Sequence, residues 1–305
     1  MTSAPDKNGR PLRIAVLLVV SVLGGFTNLV LGAESVAVVT IADADFFVIR
    51  HTTLYRATVG ANLRDRDIIE TRDAGAQIEM PPRTLVAVAA HSRILLRLTR
   101  ETSSPCEIQV WDLQGMVKLA HKAPGARGPA CLQTGLIRVM LASGSAVERA
   151  NGAAVSVFAE SGDLVAQYEA SSGRTRESAK VPAEQFAQWR PGESARILAR
   201  PEEEFLAAMP ASFHDALMSM TERTAAANHE LVALREVTFS DIASWLKETP
   251  AARLGLIRQF QPRLKDPEFR RELDQELGKS SEWAALLHPV RADASAPPDS
   301  GEAQR

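Results

Sequence analysis

The amino-acid sequence predicts an α+β protein, with an N-terminal all-β domain followed by a small helical region of four to five helices. Three observations carry this expectation. From Val36 to about Leu198 the chain breaks into short apolar runs, several of them alternating with polar residues. A period of two is the mark of a half-buried strand. Turn residues recur between the runs, as in Asp73-Ala74-Gly75, Asp112–Gly115 and Ser161-Gly162-Asp163. Beyond Arg200-Pro201 the apolar spacing lengthens to that of a helix with one buried face.

The β region opens with runs at Ser35–Ile41, Asp45–Arg50, Arg66–Thr71, Ala76–Met80, Thr84–Ala89 and Arg93–Leu98. It continues through Glu107–Trp111, Met116–Leu119, Leu136–Met140 and Ala154–Phe158, and closes with Leu164–Tyr168, Gln185–Trp189 and Ala195–Leu198. Short strands at intervals of about 8–12 residues, with no helical pattern between them, argue for an all-β domain over 34–199. Spacing alone leaves sandwich, barrel and solenoid open.

Residues 200–212 form the joint. Phe205, Leu206 and Met209 are too apolar for a free linker and are expected to dock as a clasp, with Phe213 beside them. The helical region is placed at 213–289. Ser212 and Asp215 have the spacing of a capping box, and Phe213, Leu217, Met220, Thr224, Ala227, Leu231 and Leu234 fall on one helical face. Phe239, Ile242, Trp245 and Leu246 form a second stripe. Thr249-Pro250 and Asp266-Pro267 each place a cap residue before a proline at the first helical position. Gly278 can end the helix marked by Phe269, Leu273 and Leu277, and Ser281-Glu282-Trp283 opens a last short one. Trp245, Phe260, Phe269 and Trp283 are the expected helical core. The tail, 290–305, is too polar to fold alone.

Residues 1–33 read as an export signal: Lys7, Arg10 and Arg13 precede an apolar run from Ile14 to Leu23, and Gly32-Ala33 offers small residues for cleavage. An uncleaved single anchor is the alternative. The expected location is the periplasm or cell envelope. Without that segment 32 basic groups face 36 acidic ones, which gives no bulk attraction to nucleic acid or anionic lipid. Cys106 and Cys131 are the only cysteines, and in an oxidising compartment such a pair is expected to form a disulfide. Free thiols, or a redox or metal pair, are the alternatives.

The β region resembles the FecR-type extracytoplasmic domain. The residues that carry the resemblance are Val39-Thr40, the stretch Val59–Thr71 with Gly60, Leu63, Asp67 and Ile68, then Ala76–Met80 and Leu85–Ser92. Arg66 stands where the family usually has glycine, and Pro82-Arg83 stands near its usual Asp-Gly turn. The stretch from Arg200-Pro201 through Phe205-Leu206, Met209-Pro210, Phe213, Asp215 and Leu217 is similar to the tail of exported bacterial proteins of this type. Trp245-Leu246, Arg258–Phe260, Asp266–Arg270 and Glu282-Trp283 continue that similarity. The resemblance implies a β-solenoid-like stack and an envelope location; it implies no reaction. Members that regulate iron uptake carry an anti-sigma segment before their membrane helix, and the dozen residues ahead of Ile14 are too few for one.

No catalytic motif stands out. Ser143-Gly144-Ser145 lacks the G-x-S-x-G elbow and reads as a turn. The histidines, at 51, 91, 121, 214, 229 and 288, show no metal-ligand spacing. Glu202-Glu203-Glu204 reads as an acidic first helical turn. Arg64, Arg66 and Arg72 with Asp65, Asp67 and Asp73 make a charged cluster that, with Trp111, is the candidate interaction surface. The expectation is a non-enzymatic envelope protein without cofactor or metal, a binding or scaffolding module whose partner is an envelope protein or peptidoglycan component. A sensory or regulatory domain relaying a signal by protein contact is the alternative, and a hydrolase with a site assembled from distant residues the second.

Overall fold

Strand β9, Ile108–His121, runs through two layers of sheet and makes them one. The computed structural model describes residues 37–80, 84–98, 105–122, 128–169, 176–220, 229–248 and 250–288. The export segment, the tail, Pro82-Arg83 and Thr249 lie outside the described residues. Among the described residues eighteen strands join into one large sheet that curls back on itself. Among the described strands the pairings are antiparallel except β9 with β10, Ala130–Gln133; an isolated bridge, Ala61 with His229, is also parallel.

The first layer runs β4 (Asn62–Leu63), β1 (Ala37–Ala42), β6 (Ala76–Met80), β7 (Thr84–Val88), the second half of β9, β12 (Gly144–Ala150), β13 (Val155–Ser161), β16 (Phe186–Trp189) and β17 (Arg196–Leu198). The second runs β18 (Val232–Glu236), β3 (Thr53–Ala57), β2 (Phe46–Arg50), β5 (Ile68–Glu70), β8 (Arg93–Leu98), the first half of β9, β10, β11 (Ile137–Leu141), β14 (Leu164–Glu169) and β15 (Arg176–Val181). Between the layers lies the main core, with Val39, Ile78, Val86 and Val157 from one side and Val48, Ile69, Ile94 and Val139 from the other. It is almost wholly aliphatic, as a chain poor in aromatics requires.

The outer faces are covered too, which explains why strands such as β7 are buried at every position. Against the first layer lie α1 (Glu203–Ala208) and α2 (Ala211–His214), whose Phe205, Met209 and Phe213 meet Ala87, Met116, Val147 and Phe186. The Phe186 and Phe205 rings meet edge to face at 5.0 Å. Against the second layer lie α3 (Phe239–Leu246), α4 (Pro250–Phe260), α5 (Pro267–Leu277) and α6 (Ser281–Leu287). Trp245, Phe260, Phe269 and Trp283 are buried there, together with Ile49, Leu54, Ile68, Leu95 and Trp111 of the sheet. Asp266 caps α5, accepting from the Glu268 and Phe269 amides. All described residues belong to one compact unit.

This architecture corrects the α+β expectation: the protein is mostly β, and its few helices, from 4 to 11 residues long, are short covers on a large curled sheet. The long helix expected from Ser212 does not form over the described residues 215–220; Thr224 and Ala227 of that expectation lie outside the described residues. α2 ends at His214, Pro210 rather than Ser212 precedes it, and residues 232–236 form the edge strand β18. Tertiary contacts override the helical period there. Lys118 takes the Phe213 and Asp215 carbonyls, Gln77 donates to the Met218 carbonyl, and Glu79 accepts from Ser219 and the Met220 amide. Backbone groups pinned to the sheet in this way are not free for a helical ladder. Leu206 is likewise corrected: it is 43% exposed, because Phe205 holds the buried face of α1 and Leu206 is turned about 100° from it, while Met209 is buried from the extended C-cap position.

Candidate functional site: a carboxylate pair beneath a cleft

Along the first half of β9, Ile108 and Val110 point between the layers, while Trp111 points out against the helices. Asp112 follows Val110 in the inward phase. A register shift opposite Arg93 and Ile94 then changes the phase, and Gly115, at φ +121°, lets the strand turn against Ser92. A Cβ at Gly115 would lie 2.1 Å from the Ser92 hydroxyl, so no other residue fits without movement. Past this point Val117 and Leu119 face inward, and Met116 and Lys118 face outward.

Glu148 on β12 also faces inward, two residues from the inward Ala146. Asp112 is 2% exposed and Glu148 is fully buried. None of their four carboxylate oxygens meets a hydrogen-bonding partner among the described residues. Burial pushes the Asp112 carboxyl well above the usual carboxylate range; the Gln114 backbone amide, without a sound hydrogen bond, pulls the other way. Burial pushes Glu148 up as well, and the nearby Asp112 adds to the effect. Two adjacent buried acids cannot both ionise cheaply.

Asp112 is among the residues that line an open cleft of about 350 Å³, though its carboxylate oxygens are sealed from solvent. Leu113, Leu136, Ala150 and Val155 give it apolar walls, Thr134 adds a hydroxyl, and Lys247 and Glu248 stand at the end of α3. A second cleft of about 320 Å³, with Gln114 in its lining, is polar and includes Glu70, Arg72, His91 and Arg93. Arg93 approaches Glu70 at 3.4 Å and donates to Ser244. Burial raises the Glu70 carboxyl, and Arg93 opposes the shift.

The expected charged surface is not one surface. Asp67 is 1% exposed and clamps Arg50 through both oxygens, at 3.0 and 2.7 Å, while also accepting from the Arg64 amide. Arg66 takes φ 67°, the left-handed conformation that favours glycine, and its guanidinium lies 3.9 Å from the Asp65 carboxylate. Arg72 lies 4.4 Å over the Phe47 ring. Trp111 is buried beneath the helices. Cys106 and Cys131 are bonded to each other, tying the start of β9 to β10.

Ser143-Gly144-Ser145 lies at the tight junction of β12 and β13, where Ser145 donates to Glu160. Glu202 and Glu204 pair with Arg196 and Arg149. His91 sits 3.8 Å from Asp73, and His121 bonds Thr84. Asp112 was legible only as a turn residue, and Glu148 and Lys118 carried no motif. Their one signal is phase: each acid occupies an inward position of an otherwise apolar alternation.

Comparison with protein-family models finds no match, and comparison with curated proteins finds none either. Two crystal structures of a candidate anti-sigma factor from Parabacteroides distasonis ATCC 8503 are similar to part of the chain, each at 13% identity and a TM-score of 0.37. The similarity covers 46% of this chain and 62% and 63% of theirs. The chain thus spans less than two thirds of the structures it matches. Among the described residues no helix is long and apolar enough to cross a membrane.

Proposed function

We propose that this chain is a non-catalytic, exported domain of the FecR type that works in a regulatory role, by presenting an open sheet edge to a protein partner. What supports the reading is β18. It pairs with β3 on one side only among the described strands, and all five of its residues are exposed. Val232 is 50% and Leu234 46% exposed. An edge with unpaired amides and carbonyls is a template for an added strand, and exposed apolar side chains beside it give such an addition specificity. The Cys106–Cys131 bond and the basic, apolar residues 7–33 support export to an oxidising compartment.

The test is cross-linking in envelope extract, comparing wild type with Val232→Lys/Leu234→Lys. Both side chains are exposed, so the melting temperature should stay within a degree or two of wild type. The same partner should be captured by wild type and lost by the variant. Capture that is unchanged in the variant would remove β18 as the contact edge.

A further inference from the structure

We propose that the Asp112–Glu148 pair makes the join between the two layers sensitive to pH: the layers meet tightly at the bend of β9 while the acids hold their protons, and part there as both ionise. Strand register places the pair. Asp112 lies opposite Ile94 in the second layer, and Glu148 lies opposite Val117 and Val157 in the first. Residues directly opposite one another share a face of the sheet. Ile94, Val117 and Val157 all belong to the main core, so the two acids enter it from different layers. None of their four oxygens is reached by solvent or by a donor among the described residues.

A buried carboxylate is tolerated when it is paired or hydrogen-bonded, and these are neither, so the fold accommodates them as neutral acids. Nothing nearby relieves an ionised pair. Among the described residues the charge acting on Glu148 is that of Asp112, which is of like sign, and Asp112 is favoured only by the Gln114 backbone. The strands on either side contribute Ile94, Val117 and Val157, all apolar. On the cleft side the charged groups are Lys247 and Glu248 at the end of α3, and the Lys247 ammonium is engaged by Glu276 at 3.0 Å. The backbone is weakest at the same place. Gly115, at φ +121°, and the register shift opposite Arg93 and Ile94 already interrupt the ladder between the two halves of β9.

The direction follows from linkage. Burial raises both carboxyls in the folded chain, so it keeps protons that the unfolded chain releases above about pH 4. The pair is therefore harmless below that pH, and stability is lost as pH rises above it. Each retained proton lowers the folding equilibrium constant about tenfold per pH unit. Glu70, also raised by burial, slopes the same way, and His121, lowered by burial, slopes the opposite way. The pair is thus read as a difference from Asp112→Asn/Glu148→Gln, which keeps both shapes and removes both charges.

The experiment is urea unfolding of the intact protein at pH 5, 6, 7 and 8, wild type against the double variant, with hydrogen exchange of the two compared at each pH. The ratio of their folding constants should move about tenfold per pH unit in the variant's favour from pH 5 until the pair has ionised. Amides from Gly115 to Val117 should exchange faster in wild type than in the variant, by a margin that grows with pH. Infrared spectroscopy of the wild type at pH 6 should show the carbonyl band of a protonated carboxyl, weakened in the variant. A ratio that stays constant across the four pH values overturns the proposal. So does a wild type without that band at pH 6, a result that stands whether or not the variant folds. A growing ratio with exchange around Gly115 unchanged would overturn the parting of the layers at the bend.

Discussion

Replacing Lys118 with methionine should release the strap formed by residues 203–220 from the first layer. Lys118 is 2% exposed on the outward face of β9. Its ammonium donates to the Phe213 carbonyl at 2.6 Å, the Asp215 carbonyl at 2.9 Å and the Glu160 carboxylate at 2.9 Å. Methionine keeps most of the apolar stem, so the loss isolates the charge and its bonds. Breaking a buried ion pair by removing one partner costs about 3–5 kcal/mol. Each buried acceptor left empty costs about 1–3 kcal/mol. Two features limit the sum: the Asp215 contact is only part-buried, and Glu160, 19% exposed, keeps its bond from Ser145. The expected destabilisation is therefore about 3–5 kcal/mol. Urea unfolding followed by tryptophan fluorescence measures it. Hydrogen exchange should report faster amide exchange around Phe205, Met209 and Phe213 than elsewhere. Lys118→Met/Glu160→Gln should recover part of the loss, since the orphaned carboxylate is then removed. A single variant within about 0.5 kcal/mol of wild type, with exchange unchanged in the strap, would refute the assignment of Lys118 as its anchor.

Trp245→Ala and Phe269→Ala should each cost about 3–5 kcal/mol, read as a lowered melting temperature, because both rings are buried between helices and sheet; wild-type melting in both would unseat the helices from the second layer. Cys106→Ser/Cys131→Ser should lower stability by about 3.5 kcal/mol, in line with a closed span of 25 residues, and urea midpoints that match with and without reductant in the wild type would refute a stabilising bond.

Much of the β region was legible because its strands obey a simple period. Ala76–Met80 and Arg93–Leu98 are strands over the same residues that alternation indicated. β3, β4, β10, β12 and β15 escaped notice, since Thr53–Ala57 and Arg176–Val181 mix charge with few apolar residues, and Asn62–Leu63 is too short for any period. The helix drawn from Ser212 does not form over the described residues up to Met220, for a different reason. Its apolar spacing is real, but the carbonyls it needed belong to Lys118 and Gln77, which are distant in sequence. The candidate surface failed because charge density does not report exposure: Asp67 is buried against Arg50. The buried acids Asp112 and Glu148 were invisible as a motif because β9 and β12 meet only in the fold.

β9 has a consequence for how the molecule can be divided. It pairs with β7 and β12 in one layer and with β8 and β10 in the other. Asp112 and Lys118 stand six residues apart on it, a separation of about 20 Å along an extended chain. A strand shared in this way is a load path. A shift at Asp112 and a shift at the strap are displacements of one continuous backbone, held at its start by the Cys106–Cys131 bond. No cut through the sequence yields half of this fold, since each half would need the same strand. Tolerance to insertion or permutation should therefore fall to zero along β9 and survive at exposed turns such as Asn151-Gly152, where nothing lies within 4 Å of an added side chain at Gly152.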